Sequence, residues 1–489
     1  MKVLLINPPL ELYPGEFLSV VPPMGPAYIA AVLENAGHKV KILDCLALSR
    51  RQPLVKKRGK RKIRYLSPGK KFLRNYLLDF QPDIVGISNL LLVNEAEVIN
   101  FARLAKSLLP KVRVIVGGAN ASCRPEVFIR EKVIDFVAIG EGEITMRELV
   151  KNQGQKDLSQ IAGLVYKNRN GKVVFNCPRP LMDDLDNLPI PAWHLLPMEE
   201  YFHGHPAGLL YKKKRFAMVL SSRGCPFGCS FCTNEKIWQR KWRGHSVKRV
   251  IAEIKDIRKR FKVDEIQFMD SNMSVDKARL KKICRALIKE KIPWIPYTGV
   301  SVLTLDPPLI RLLAASGCYA LQLGIEHGDP QIQARVGKIV PLKNTQKIVQ
   351  ECKKVGIWVH GYFVVGLPGE TLNTAYRSLD YAIKADLDSV SFFTALPLPG
   401  SRLYFEVFGN KKVDLGNLRV YFSKVRCSEL TVSQMKTVIK NSFRRFLFFK
   451  IKRELNPKQL FRRLSQIKSW DDITFYWRLF SRFMQIEGL

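Results

Sequence analysis

Short apolar runs of β type alternate with helical stretches through most of this chain, and they do so in two separate series. Such alternation marks parallel sheets whose strands are joined by helical crossovers. The first series reads "KVLLIN" (Lys2 to Asn7), "HKVKILD" (His38 to Asp44), "DIVGIS" (Asp83 to Ser88), "VRVIVGG" (Val112 to Gly118) and "DFVAIG" (Asp135 to Gly140). The carboxyl ends of these runs carry "NPP", "SN", "GGAN" and "GEGE". Polar and glycine-rich loops at that edge of an open sheet are where ligands dock, because side chains converge there and the backbone can be approached closely. Residues 1–150 are therefore expected to form one α/β domain. Between its second and third strands lies "KKRGKRKIRYLSPGKKFLR", which reads as a solvated basic loop ending in a helix, with an anionic partner as the other reading.

Residues 151–210 read as a linker. "YKNRNGKVVF" has the form of a hairpin turning at Asn170–Gly171, and "LPIPAWHLLP" is punctuated by proline. The second series occupies 211–410: "FAMVLSS", "EIQFMD", "WIPYTGV", "YALQLGIE", "WVHGYFVVG" and "DSVSFF". Six βα repeats make a three-quarter barrel, whose active sites sit at the carboxyl ends of the strands. Residues 411–489 change character and read as helices. In "KTVIKNSFRRFLFFKIKREL", Ile439, Phe443, Phe446, Leu447 and Ile451 fall near one helical face with basic residues interleaved, and "ITFYWRLFSRFM" repeats the theme. Helices packing on the barrel are the default. A basic amphipathic surface touching a membrane is the sharper alternative.

Charge bears on partners. Lysine and arginine number 80 against 43 aspartates and glutamates, a formal net charge of +37. Nucleic acid, an anionic membrane surface or a phosphorylated substrate would each fit that excess. The apolar run in "MKVLLIN" meets proline too soon for a secretory signal, and nothing approaches the ~18 apolar residues of a membrane span. A cytoplasmic protein is expected, peripheral at most on the inner face of a membrane, with its thiols reduced.

Three of those thiols stand together. "SSRGCPFGCSFCTNEKIW" places Cys225, Cys229 and Cys232 on one glycine-bearing loop, directly after the first barrel strand. A structural zinc ion would want a fourth protein ligand nearby. The next histidine, His245, lies beyond a basic stretch, and no second CxxC exists. A cubane cluster held by only three cysteines leaves one iron open to a substrate or cofactor. The other seven cysteines are scattered and read as small buried hydrophobes.

The triad, the partial barrel and the motifs behind them resemble the radical S-adenosylmethionine (radical SAM) enzymes, from Phe216 to about Tyr404. The resemblance implies a four-iron, four-sulfur cluster on Cys225, Cys229 and Cys232, with the amino and carboxylate groups of SAM on the open iron. It implies that Phe231 lies against the adenine and that Glu326, in "GIEHG", is a SAM-contacting carboxylate. His327 stands where the family usually has serine. "GYFVVGLPGET" matches the fifth-strand motif, in which Gly366 and Pro368 would shape the SAM pocket. "FMDSN" resembles a second-strand motif of two carboxylates, keeping Asp270 and replacing the other by Ser271.

The first domain is similar to the Rossmann-like cobalamin-binding domain fused to one branch of these enzymes. Ser88, Gly117, Gly118 and Glu141 would then line the cobalamin site at the carboxyl edge of the sheet. The Asp-x-His-x-x-Gly motif that brings a histidine to cobalt elsewhere is absent. The resemblance implies reductive cleavage of SAM to a 5′-deoxyadenosyl radical, fed by a reductase or a flavodoxin or ferredoxin. Methyl transfer through methylcobalamin to an unactivated carbon is the leading expectation, with cyclisation or rearrangement as the alternative. The substrate would be a small molecule or a lipid. A tRNA methylthiotransferase would carry more cluster cysteines in its first domain and a terminal β-barrel. A zinc-dependent nucleic-acid binder would need a fourth ligand and interleaved aromatics.

Overall fold

A computed structural model of the chain describes residues 1–14, 20–49, 51–58, 61–152, 157–202, 211–409, 411, 415, 425–457, 461, 467 and 469–486. It divides into two compact units, Met1–His205 with Lys236–Trp238, and Pro206–Glu235 with Gln239–Leu489.

The first unit is built on five parallel strands, β1 (Lys2–Asn7), β3 (Lys39–Asp44), β6 (Ile84–Ser88), β7 (Arg113–Gly117) and β8 (Phe136–Ala138). All five answer to runs read from the sequence. They lie in the order β3-β1-β6-β7-β8, so the chain reverses direction across the sheet between β1 and β6. Val3 to Ile6 of β1 are buried on both faces, which is why such strands read as unbroken apolar runs. One face packs Leu4, Ile6, Val85, Ile87 and Val114 against helices such as Glu95–Leu108, through Phe101 and Ala105.

Two expectations change here. The hairpin is β9 (Leu164–Lys167) and β10 (Val173–Phe175), and β9 pairs antiparallel with β8, Phe136 opposite Tyr166. The sheet therefore runs past 150. The proline-rich stretch is also part of this unit: Trp193 is fully buried, and the Tyr201 hydroxyl donates to Asp44 at 2.6 Å. The basic run is not a loop. It forms β4 (Leu54–Arg58) and β5 (Arg61–Leu66), an antiparallel ribbon completed by β2 (Leu10–Leu12). Ile63 and Leu66 turn inward. The helix expected behind it is present at Lys70–Phe80.

In the second unit all six expected barrel strands form. β11 (Phe216–Val219), β14 (Glu265–Phe268) and β15 (Trp294–Pro296) make one parallel set; β16 (Ala320–Glu326), β17 (Trp358–Val365) and β18 (Ser389–Thr394) make another. A parallel bridge, Trp294 to Cys318, joins them. A two-residue ribbon of β12 (Ser222–Arg223) and β13 (Arg243–Gly244) flanks the cysteine loop. Several connecting helices start on side-chain caps, as where Asp276 accepts from the Arg279 amide at 2.8 Å.

Helix Val432–Glu454 begins with a capping box of Thr431 and Gln434. Its buried face is Met435, Val438, Ile439, Ser442, Phe446 and Lys450, so Ile439 and Phe446 of the expected stripe are buried, Phe443 and Leu447 are half-buried, and Ile451 is 46% exposed. The last helix, Trp470–Ile486, packs on the barrel, as the default reading had it. Phe475 meets Tyr319 edge-on at 5.5 Å and Trp358 at 6.0 Å. Burying that ring contributes roughly 1.5–3 kcal/mol. Among the described residues no helix is long and apolar enough to cross a membrane.

Candidate active site

The cysteine loop leaves the barrel where β11 ends, and buried polar groups hold its root. The Asp270 carboxylate accepts from the Ser221 amide at 2.7 Å and from the Ser221 and Ser222 hydroxyls at 2.5 Å each. Arg279 donates to the carbonyl oxygens of Ser221 (2.5 Å) and His245 (2.6 Å). Asp270 is thus only 1% exposed, and both of its oxygens are bonded to the chain. These bonds brace the root of the cysteine loop.

Further along, the Ser230 amide donates to the Val336 carbonyl at 2.9 Å and its carbonyl accepts from Leu403 at 2.8 Å. The Cys232 amide reaches the Cys229 carbonyl at 3.1 Å, closing a turn. All three thiols are part-buried. Burial pushes the Cys229 thiol up to about 11; Lys338 opposes this, while Cys232, Glu326 and Cys225 reinforce it. Cys232 is raised by burial too, against the Asn234 amide that bonds it. Three thiols that feel one another's charge and are half-removed from water suit a multi-iron centre, which takes them as thiolates. The Ser230 hydroxyl, between two of them in sequence, is buried with no hydrogen-bond partner among the described residues. These residues fit a cluster.

Facing the thiols is a pair that the sequence reading half missed. Glu326 ends β16 after a bulge, at φ +66, and its carboxylate lies 3.3 Å from the Lys338 ammonium. Burial pulls Lys338 down, but Glu326 and Cys229 hold it above the usual lysine range. Nothing in "ARVGKIV" announced Lys338 as a site residue. The signal was only its place, one turn beyond a helix that follows the "GIEHG" strand.

His327 and Glu370 are both fully buried, 2.9 Å apart. The His327 Nδ1 accepts from the Asp329 amide at 2.9 Å, so its proton sits on Nε2 and is donated to Glu370. The other Glu370 oxygen accepts from the amides of Gly366 and Leu367. One carboxylate therefore ties the end of β16 to the turn of "GLPGE". Gly366 has φ +92, and a Cβ there would come 2.5 Å from the Met435 sulfur. Pro368 sits in the turn itself, part-exposed. Phe231 packs beside it on the cluster of Ile332, Val336, Leu367 and Ala395.

At the carboxyl edge of the first unit, Ser88 and Gly117 lie opposite each other in register. Gly118 follows at φ +112, where a Cβ would come 2.7 Å from the Asn89 carbonyl oxygen. Only glycine lets these two loops cross so closely. A buried polar network not foreseen from the sequence lies beneath. Asn120 donates to Asn89 and to Glu95, each at 2.7 Å, and Arg124 grips Glu95 at 2.7 and 2.8 Å. The Ser122 hydroxyl donates to the Gly118 carbonyl and accepts from the Gly140 amide. The Glu141 carboxylate is buried and accepts from the Met182 amide at 2.9 Å. Bare glycine backbone on a braced edge fits a large flat ligand such as cobalamin. His38 stands at the opposite, amino end of β3, and His194 pairs with Glu34.

Residues 219–382 match the radical SAM superfamily, and residues 13–150 match the B12 binding domain. Over 456 residues the chain is 32% identical to an uncharacterized methyltransferase of Pyrococcus horikoshii, covering 91% of this chain and 92% of that one. The chain belongs to the cobalamin-dependent radical SAM methyltransferase family. This radical SAM enzyme is also 31% identical to the cytidylyl-2-hydroxyethylphosphonate methyltransferase of Streptomyces wedmorensis, over 84% of its own length and 83% of that protein's. Its fold is that of the radical SAM methyltransferase TsrM from Kitasatospora setae, solved with cobalamin and a [4Fe-4S] cluster. The TM-score is 0.66 at 19% identity, covering 83% of this chain and 74% of TsrM. The cofactors of this radical SAM enzyme are accordingly a 4Fe-4S cluster, SAM and cobalamin.

Proposed function

We propose that the enzyme methylates an unactivated carbon of a small-molecule or lipid substrate. The observation that carries this reading is the meeting of three thiols, Glu326 and Lys338 at the carboxyl end of one barrel, in a chain that also has a B12 binding domain. Bound together, the cluster, SAM and cobalamin supply one-electron cleavage of a carbon–sulfur bond and a transferable methyl group.

The residues have distinct tasks in this reading. Cys225, Cys229 and Cys232 hold the cluster. Glu326 and Lys338 offer opposite charges side by side, which suits the ammonium and carboxylate of an amino-acid zwitterion. Phe231 and the Gly366–Pro368 turn form the apolar wall for the adenine, and the His327–Glu370 bond fixes that turn. Asp270 positions the root of the cluster loop. Ser88, Gly117 and Gly118 receive cobalamin on backbone, with Glu141 and Ser122 bracing the neighbouring loop. Among the described residues no histidine stands at this edge that would hold cobalt. The electron donor is a reductase, or a flavodoxin or ferredoxin. Peripheral contact with an anionic membrane belongs to the same proposal.

Anaerobic turnover with methyl-deuterated SAM tests it. Labelled product, 5′-deoxyadenosine and S-adenosylhomocysteine should rise together over candidate substrates. Deoxyadenosine and an altered substrate without methyl label would favour cyclisation instead, the reaction named for an anaerobic magnesium-protoporphyrin IX monomethyl ester cyclase that is 27% identical. Electron paramagnetic resonance of the cob(II)alamin form should show no nitrogen superhyperfine splitting; imidazole splitting would reject the histidine-free cobalt.

A further inference from the structure

Helix Val432–Glu454 carries a second stripe, opposite its buried face. Arg444, Phe448, Ile451 and Leu455 are exposed and recur at three- and four-residue intervals, so they share one side of the helix. Phe448 is 71% exposed and Leu455 74%. At 100° per residue, Lys440 flanks this stripe on one side and Arg445 and Lys452 on the other, all exposed. None of these four cations has a carboxylate partner among the described residues, whereas Lys450 and Arg453 are turned inward to Asp388 and Asp386. Beside Phe448 an open groove of about 640 Å³ runs between this helix and helix Leu372–Lys384, floored by Ile383 and Leu447.

We infer that this face docks on the surface of an anionic lipid bilayer. An apolar centre edged by cations on both sides matches a layer whose acyl region lies beneath negatively charged headgroups. An acidic carrier protein would complement the cations but leave Phe448, Ile451 and Leu455 without apolar partners. The inward turn of Lys450 removes it from the basic surface that the sequence suggested. What remains is narrower and more specific. The inference deepens the peripheral membrane contact proposed above and rests on that reading, and because SAM cleavage is read in solution, docking and methyl transfer can fail separately.

Co-sedimentation of the reconstituted full-length enzyme tests it. Vesicles of phosphatidylcholine alone are compared with vesicles of equal parts phosphatidylcholine and phosphatidylglycerol, at low and high salt. The enzyme should pellet only with phosphatidylglycerol, and less so as salt screens the charges. Arg444→Gln with Arg445→Gln should weaken binding by roughly 25-fold, about fivefold per cation. Phe448→Ser with Ile451→Ser should weaken it while leaving the salt dependence intact. Both double variants should melt as the wild type does and cleave SAM normally with an artificial reductant. A wild-type enzyme that ignores phosphatidylglycerol at low salt overturns the inference. So does binding that survives both double variants, or a loss confined to reduction by an acidic flavodoxin with vesicle binding unchanged.

Discussion

The Glu326 carboxylate lies 3.3 Å from the Lys338 ammonium while its own backbone is held at φ +66. A non-glycine residue in that region costs of order 1–3 kcal/mol and persists only where its surroundings dictate it. Here Gln333 supplies the constraint, donating to the carbonyls of Ile325 (3.0 Å) and His327 (2.6 Å) on either side. Strain held by neighbours at the mouth of a barrel marks a residue kept for its side chain. Glu326→Gln should therefore weaken SAM binding by roughly 10–100-fold, the worth of one charge-assisted hydrogen bond, with iron content unchanged. Lys338→Gln should act similarly, and the double variant should lose less than the product, because the two groups touch. Equilibrium dialysis of SAM against reconstituted enzyme measures all three. Unaltered affinity in Glu326→Gln removes it from the SAM site.

Each cysteine of the triad should be indispensable to the cluster. Cys225→Ala, Cys229→Ala or Cys232→Ala should lose most of the bound iron and sulfide and all deoxyadenosine formation. Iron and sulfide analysis after anaerobic reconstitution reads this directly. A triple alanine variant that still cleaves SAM reductively would sink the assignment.

A substitution at Gly118 tests the cobalamin edge independently of the cluster. Gly118→Ala combines a strained φ of +112 with a methyl 2.7 Å from the Asn89 carbonyl oxygen, and a backbone oxygen cannot step aside cheaply. The loop should shift and cobalamin should be lost on desalting, while iron per chain stays at the wild-type level. Full retention of cobalamin would mean that the edge tolerates the shift and that the ligand rests elsewhere.

The His327–Glu370 bond should matter to stability as well as to the SAM turn. His327→Ala leaves a fully buried carboxylate short of one donor, a cost of roughly 1–3 kcal/mol. His327→Gln can still donate and should recover part of it. Apparent melting temperatures should rank wild type, Gln, Ala. An alanine variant as stable as the wild type would show the bond to be dispensable.

What could be read from the sequence follows from what each residue faces. Strands buried on both sides, such as Val3 to Ile6, announce themselves as unbroken apolar runs, so the eleven expected sheet and barrel strands were legible, and with them the loops proposed to hold the cofactors. The ribbon of β4 and β5 was not, because lysines and arginines on its outer face masked the two inward residues, Ile63 and Leu66. Lys450 looked solvated like its neighbours, but it is buried and lies 3.8 Å from Asp388 of another element. Lys338 and Glu370 act through partners 12 and 43 residues away in the chain, Glu326 and His327. No local pattern encodes such a contact.

The barrel interior supplies a pH test. His360, on β17, is 1% exposed, with Nδ1 2.7 Å from the Ser389 hydroxyl and Nε2 3.1 Å from that of Ser391. Burial drives its imidazole down to about 3, so it stays neutral in the fold. Unfolded, it takes up a proton below about 6.5. The unfolded state then binds more protons, and stability must fall as the pH drops. The contribution is complete above 6.5 and is lost progressively toward 3, at about 1.4 kcal/mol per pH unit, or roughly 2 kcal/mol between 6.5 and 5. His360→Gln can bond both serines without titrating. It should lower the melting temperature at pH 7.5, where the shape of the ring is missed, yet lose less than the wild type on going to pH 5. Parallel pH slopes for the two proteins would mean that His360 does not set the acid sensitivity of the barrel.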